Sequence, residues 1–463
     1  MNSIAPRLSW PASLLRLALA VLMVLWVDIA EAQPSDRDLA RAKRILRQTP
    51  LVDGHNDLPW RIREDSVARG NVAAYDLRTK TPGHTDLKRL RAGIIGAQFW
   101  SVYIPGEYRD SGFARVQLEQ IDIARRIIER YPDRFTLALT SADIRRIFKQ
   151  GKIGSVIGME GGHAIENSLG ALRSFYDLGA RYMTLTHNVT LDWADAALDS
   201  ARHNGLTAFG DSVVREMNRL GMLVDLSHVS PATMSDALNV TAAPVIFSHS
   251  AARALVDVPR NVPDSILRRL PANGGVVMVT FVPPFVSRGV LQYEMSVRPT
   301  ILQLRQQHGD DSVAIRRAID AWRAANPAPR ATLAQVADHI EHIRRVAGPD
   351  HVGIGGDFDG ISETVEGLED VASYPALFAE LVRRGWSDAD LKKLAGENVL
   401  RAFARAEVVS ARLRKGRASS FRSPAPSVSP SKVMALPGAD GRALRGDRKR
   451  GFRWPLRPGR MRP

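Results

Sequence analysis

Short apolar runs alternate with amphipathic helical stretches through the middle of the chain, and this order restricts the fold more than any single residue does. Runs rich in apolar and β-branched residues lie at Leu51–His55, Ala97–Tyr103, Ile153–Met159, Arg181–Thr186, Met222–Ser227, Val245–Ser248, Gly275–Phe281 and His351–Gly355. Between them fall stretches of helical period, for example Arg115–Tyr131, Gly170–Leu178, Asp211–Leu220 and Leu333–Val346, the last with Leu333, Val336, Ala337, Ile340 and Ile343 on one face. Strands separated by helices pair in parallel, because parallel neighbours need a crossover. Eight such units predict an α/β fold, a closed (β/α)8 TIM-type barrel, with a doubly wound open sheet as the alternative. The connection from Val282 to Asp350 is long and holds Pro283-Pro284 and a charged helical stretch, Asp311–Ala325. An insertion of that size between the last two strands is expected to form a lid or wall at the barrel mouth.

Polar residues gather where these runs end. His55 and Asp57 form a His-x-Asp pair at the end of the first run, and alternation along an extended chain points both the same way. Glu160, His187, His228 and His249 each follow a run directly, and Asp357 stands just past the eighth. In a barrel all carboxyl ends open on one face, so residues remote in sequence converge there. One histidine at a strand end is an ordinary structural group. Four histidines and three carboxylates at the same end of six strands are not, since buried charge needs partners or metal. Imidazole with carboxylate suits zinc, with manganese or cobalt as alternatives, and the chain has no cysteine for a thiolate site. The donors exceed one tetrahedral site. Two metals sharing a carboxylate would use them, and such a pair lowers the pKa of bound water while polarising a carbonyl, which is hydrolytic chemistry. Of the other histidines, His84, His203 and His308 read as loop residues, His163 lies just past Glu160, and His351 starts a strand. His339 and His342, at i and i+3 on a helix, are expected on its exposed polar face.

The ends of the chain differ from this body. Arg7 and Arg16 precede an apolar stretch, Leu17 to Val27, and Ala30-Glu31-Ala32 offers a cleavage site, so residues 1–32 read as an export signal, with a retained membrane anchor as the alternative. The protein is therefore expected outside the cytoplasm, periplasmic or secreted. Residues 411–463 carry fifteen Lys and Arg against Asp440 and Asp447, a net of +13 out of the chain's +15. Residues 1–32 sum to zero, which leaves about +2 for the body and no electrostatic reason to expect nucleic acid as a partner. The catalytic body is expected to span 33–408. The tail, 409–463, rich in Arg, Pro, Gly and Ser, is expected to be disordered, either a basic arm for anionic lipid or wall polymer or an extension without function.

Seven segments together resemble the membrane (renal) dipeptidase family, peptidase family M19, in its bacterial exported form. They are Val52-Asp53-Gly54-His55-Asn56-Asp57-Leu58-Pro59, Gly158-Met159-Glu160-Gly161-Gly162-His163, Arg181-Tyr182-Met183-Thr184-Leu185-Thr186-His187-Asn188, Asp225-Leu226-Ser227-His228, Phe247-Ser248-His249-Ser250, Arg260-Asn261-Val262-Pro263-Asp264 and Gly355-Gly356-Asp357-Phe358-Asp359-Gly360. The resemblance runs from about Leu51 to Glu407. It implies a zinc dipeptidase in which His55 and Asp57 hold one Zn2+, His228 and His249 the other, and Glu160 bridges both. It also implies that His187 lies beside the scissile carbonyl, that Arg260 grips the dipeptide's terminal carboxylate, that Asp357 carries protons, and that the protein is a homodimer. A guanidinium forks onto a carboxylate, so Arg260 could measure the distance to a free C-terminus and favour dipeptides. Animal relatives are often lipid-anchored at a hydrophobic C-terminus and stapled by disulfides; a basic tail and no cysteine make neither expected here. Two other readings compete. One is another amidohydrolase-type barrel acting on N-acyl amino acids or cyclic amides, many of which bridge metals with a carbamylated lysine where this chain has Glu160. The other is an exported, non-catalytic metal- or peptide-binding protein, which would have no use for Asp357 as a proton carrier.

Overall fold

All eight apolar runs form strands in the computed structural model, which describes residues 33–415 apart from 107, 109–111 and 309–310. The strands are β1 (Leu51–Asn56), β2 (Ile95–Ser101), β3 (Phe135–Leu137), β4 (Ile153–Glu160), β5 (Ala180–Thr184), β6 (Leu223–Asp225), β7 (Val245–Ser250), β8 (Val276–Val279) and β9 (Val352–Ile354). From β4 to β9 each pairs in parallel with the next; β9 pairs with β1, β1 with β2, and β2 with β4, which closes an eight-stranded ring. The ninth, β3, lies outside the ring. It pairs with Ile153 to Ser155 at the start of β4, ahead of Ile157, where β5 joins.

Inside the ring the alternation of side chains passes from apolar to polar along each strand. Ala97 and Phe99 of β2 are succeeded by Ser101, and Val156 of β4 by Gly158 and Glu160; the Ser101 hydroxyl donates to Glu160 Oε2 at 3.2 Å. The lower layer, with Val52, Phe99, Leu223 and Met278, joins one buried cluster with Val399, Leu400 and Phe403 of the last helix, Asn398–Lys415. That helix therefore plugs the amino-terminal end of the barrel. Water is excluded below, and the polar layer faces the open end above.

Local chemistry sets the helix boundaries. Leu333–Ala347 starts in a capping box of Thr332 and Gln335, and Ala208–Leu220 stops at Gly221, whose φ of 86° suits a residue without a Cβ. The insertion after β8 holds helices Pro283–Val286, Arg288–His308 and Ser312–Ala325, and Tyr293 stacks on Trp322 with ring centres 5.9 Å apart. Arg288–His308 was not foreseen, because Pro299 inside it argues against a continuous helix.

Two expectations are corrected. His339 and His342 are buried, not exposed. The amide of Ala252 donates to His339 Nδ1 at 3.0 Å, and His342 Nε2 lies 2.8 Å from Asp264 Oδ1, so the segment after β7 covers a helix face that the local pattern left open. The last helix also continues to Lys415, past residue 408, with Arg412, Arg414 and Lys415 in its final turn, where cations complement the helix dipole. The expected signal, 1–32, and residues 416–463 of the expected tail lie outside the described residues.

Candidate metal centre

The strand ends bring the seven polar residues together at the mouth of the barrel. Glu160, last residue of β4, is at the centre, and its two oxygens face different groups. Oε2 lies 3.4 Å from His55 Nε2, which is itself 3.1 Å from Asp57 Oδ2 and 4.0 Å from Asp357 Oδ1. Oε1 lies 3.0 Å from His228 Nε2, 3.4 Å from His249 Nε2 and 3.8 Å from His187 Nε2. Three sets of side chains are close enough to share an ion: His55, Glu160 and His249; Glu160, His187 and His228; His55, Asp57 and Asp357. His187 and Asp357 thus stand within reach of a metal as well as the five ligands implied by the family resemblance.

Hydrogen bonds behind the imidazoles fix which nitrogen faces the centre. His228 Nδ1 donates to Asn188 Oδ1 at 3.0 Å. The Ser248 hydroxyl donates to Asp225 Oδ2 at 2.6 Å, so at 2.8 Å it accepts from His249 Nδ1. Both Nε2 atoms then carry a lone pair inward, and they lie 2.9 Å apart beside a carboxylate oxygen. Lone pairs at that separation repel unless a cation sits among them. His55 Nε2 and Asp57 Oδ1 are likewise buried with no hydrogen-bond partner. Such groups at the end of a closed barrel are costly without a ligand, so the residues present fit a metal pair. The Tyr182 hydroxyl stands 2.9 Å from His55 Nδ1 and orients that ring.

The electrostatics agree. Burial, with Arg260 nearby, holds His228 and His249 well below the usual imidazole range, so both rings are neutral. Burial also lowers His187. For Glu160, burial favours the neutral acid, but the charge of neighbouring His55 outweighs it and keeps the carboxylate ionised. Burial and the neighbouring Asp57 and Glu160 push Asp357 well above the usual carboxyl range. Backbone geometry marks the same residues: His228 and Asp357 hold φ of 66° and 64°, a left-handed conformation uncommon outside glycine. Gly360 makes room for the carboxylates, since a Cβ there would collide with Asp57 Oδ2 and crowd Asp357 Oδ1.

A cavity of about 510 Å3 opens over this centre, walled by Trp60, Tyr103, Leu198, Val282 and Phe285. Val282 and Phe285 come from the start of the insertion, as expected of a binding wall. Trp60 packs edge-on to Tyr103 at 5.0 Å, and Tyr103 lies 4.7 Å from His187. Arg260 does not line the cavity. It is 1% exposed behind β7, donates to Ser250 Oγ at 2.8 Å and the His249 carbonyl at 3.0 Å, and leaves its buried Nε without a partner. Desolvation lowers its pKa to about 10.

Sequence reasoning missed several supporting residues. Asp53, fully buried in β1, accepts from the Tyr374 hydroxyl at 2.6 Å and the Gly356 amide at 2.8 Å, tying the ends of β1 and β9 together. Its signal was a carboxylate in an otherwise apolar run. Tyr182, Asn188 and Ser248 gave none, being unremarkable residues inside strands or just past them.

The family model for membrane dipeptidase (peptidase family M19) matches residues 39–417. Dipeptidase 3 of Mus musculus is 43% identical over 374 residues, which is 80% of this chain and 67% of the mouse protein. Among solved structures, the probable dipeptidase PvdM from Pseudomonas aeruginosa shares the fold with a TM-score of 0.68 at 24% identity, covering 81% of this chain and 99% of that one. A metallo peptidase from Rhodobacter sphaeroides, liganded with a phosphinate mimic of the dipeptide L-Ala-D-Ala, gives 0.64 at 24% identity, covering 77% and 99%. A family match over most of the chain, carried by the same strands that supply the clustered donors, leads to one conclusion: this chain belongs to the membrane dipeptidase family, peptidase family M19.

Proposed function

We propose that this metal-dependent dipeptidase uses two zinc ions, one held by His55 and Asp57 and one by His228 and His249, with Glu160 shared between them. The observation that carries this reading is the placement of Glu160, whose two oxygens face separate sets of ligands. When bound, the metal pair would make a water more acidic and polarise the scissile carbonyl.

The chain's own residues supply the rest. His187, neutral through burial, directs an N–H at the oxygen of the reacting carbonyl and favours the transition state, where charge develops, over the ground state. Asp357 takes a proton from the attacking water and hands it to the leaving amine; its raised pKa suits a group that is alternately base and acid. Arg260, buried beside the centre with an unpartnered Nε, would meet the terminal carboxylate of the substrate only after turning from Ser250 and the His249 carbonyl toward the cavity, and a clamp at fixed distance from the reacting carbonyl would limit the substrate to two residues. Trp60 and Tyr103 pack against the side chains. Dipeptides as substrates are supported by the named relatives. Export through residues 1–32 rests on their charge and apolar pattern, with the periplasm or the outside as destination. A homodimer rests on the family resemblance.

The test is amino-acid release from a panel of dipeptides by the purified protein, with metal analysis on the same sample. Release that stops on chelation, with two zinc ions per chain, is the expected result. Full activity after rigorous metal removal would sink the proposal.

A further inference from the structure

At the end of the barrel away from the metal centre, a cavity of about 490 Å3 lies between the starts of β2 and β4. Its floor is apolar, with Leu87, Ile94, Phe148 and Ile153 only half-buried. Its rim carries Arg47, Arg91, Arg134, Lys149 and Lys152, and no carboxylate lines it. Some exposed arginines elsewhere in this chain hold acids: Arg41 and Arg44 meet Asp388, and Arg145 meets Glu397. On this rim only Arg134 does, with Asp133 at 3.3 Å. Among the described residues the other four have no ion-pair partner.

Clustered cations without counter-charges repel one another, and apolar side chains left wet are costly; one ligand relieves both only if it is anionic at one end and apolar at the other. A free phosphate would leave the floor wet, and a neutral oil would leave the rim unpaired. A second observation points the same way. Arg414, in the last turn of the final helix, donates to the carbonyls of Arg219 at 3.0 Å and Leu220 at 2.7 Å, just ahead of β6. The chain therefore leaves the described body at the same end of the barrel, and residues 416–463 carry twelve more Lys and Arg against two Asp.

We propose that the amino-terminal end of the barrel docks on a membrane surface rich in anionic phospholipid. A lipid phosphate sits among Arg47, Arg91, Lys149 and Lys152, and the first part of its acyl chains lies on Leu87, Ile94 and Phe148. Because parallel strands separate the two ends, the catalytic mouth then faces away from the bilayer, open to soluble substrate.

The test is co-sedimentation of the full chain with phosphatidylcholine vesicles with and without phosphatidylglycerol. Phosphatidylglycerol should raise the bound fraction over that on pure phosphatidylcholine, and salt should reduce the gain. Each cation near such a surface contributes roughly fivefold, so R91E/K152E should lower the partition coefficient by at least about 25-fold with the tail unchanged. Phe148→Ala should weaken the binding that survives at high salt. Both variants should hydrolyse dipeptides like the parent, which checks folding. Equal partitioning of parent and R91E/K152E would overturn the proposal. So would full displacement from vesicles by inorganic phosphate, which would make the cavity a small-anion site, or unaltered high-salt binding by Phe148→Ala.

Discussion

Asp357 is crowded by Asp57 and Glu160 and held in a left-handed backbone conformation, so its position costs energy that its function must justify. As a proton carrier it should be replaceable without loss of metal: Asp357→Asn is expected to lower kcat by about 10²- to 10⁴-fold while metal analysis still finds close to two ions per chain. Its Oδ1 lies 4.0 Å from His55 Nε2, so a parallel fall in metal content would instead make it a ligand. Arg260 is argued separately, because its fork already holds Ser250 and the His249 carbonyl. Arg260→Ala should raise KM for free dipeptides by roughly 10- to 100-fold, the size of a lost charge-assisted hydrogen bond, and leave C-terminally amidated substrates unaffected. Arg260→Lys, which keeps charge and loses the fork, should fall between; equal losses on both substrate types would rule out the clamp. The strand-end residues were legible because an acid or imidazole at the close of an apolar run is out of place unless it has work there. Tyr182, Asn188 and Ser248 were not, since a hydroxyl or amide inside a strand is ordinary until its partner is known, and those partners lie tens of residues away.

Between elements, the helices that jacket the barrel are tied by ion pairs whose partners come from neighbouring turns or helices. Glu216, buried on Ala208–Leu220, accepts from Arg219 at 2.8 and 2.6 Å and from Arg173 of the preceding helix, Leu169–Asp177, at 2.6 Å. Burial alone would favour the neutral acid; the two guanidinium groups outweigh it and hold the pKa below its ordinary value. A carboxyl with a depressed folded-state pKa stabilises the fold above its unfolded pKa, and the contribution is lost as pH falls through the folded value. Glu216→Gln should therefore cost about 1 to 2 kcal/mol near pH 7, discounted because both arginines are partly exposed, with the gap to the parent closing below about pH 4. Denaturant melts of both proteins at the two pH values check this; a gap that widened in acid would refute the sign. The helices and eight ring strands were legible because each has a period long enough to read. What escaped depended on other segments: β3 on the edge of β4, the burial of His339 and His342 on the chain after β7, and Arg288–His308 on packing that tolerates Pro299.

For the molecule as a whole, the proposed ligands come from β1, β4, β6 and β7 or the residues directly after them, so a metal pair crosslinks half the ring at its open end, opposite the helix that plugs the other. Closure of the ring by hydrogen bonds alone is weak there, since the ladders between β6 and β7 and between β1 and β9 are short. Without cations the mouth also gathers the carboxyls of Asp57, Glu160 and Asp357 and two facing imidazole lone pairs, all of which favour loosening. Ligands that bind only the folded state stabilise it by mass action, about 2.7 kcal/mol for each site at a hundredfold excess over Kd. A body of this size unfolds with an entropy of roughly 0.8 kcal/mol per kelvin, so loss of both ions should lower Tm by about 6 to 7 °C. Scanning calorimetry of the protein before and after dialysis against a chelator reads this directly, and returning zinc should restore the transition. The fall should be much smaller in Glu160→Gln, because a carboxamide offers one neutral oxygen where two ions need a shared anion. An unchanged Tm on chelation in the parent would mean that the barrel mouth is held without metal, and the facing donors would then need another counter-charge.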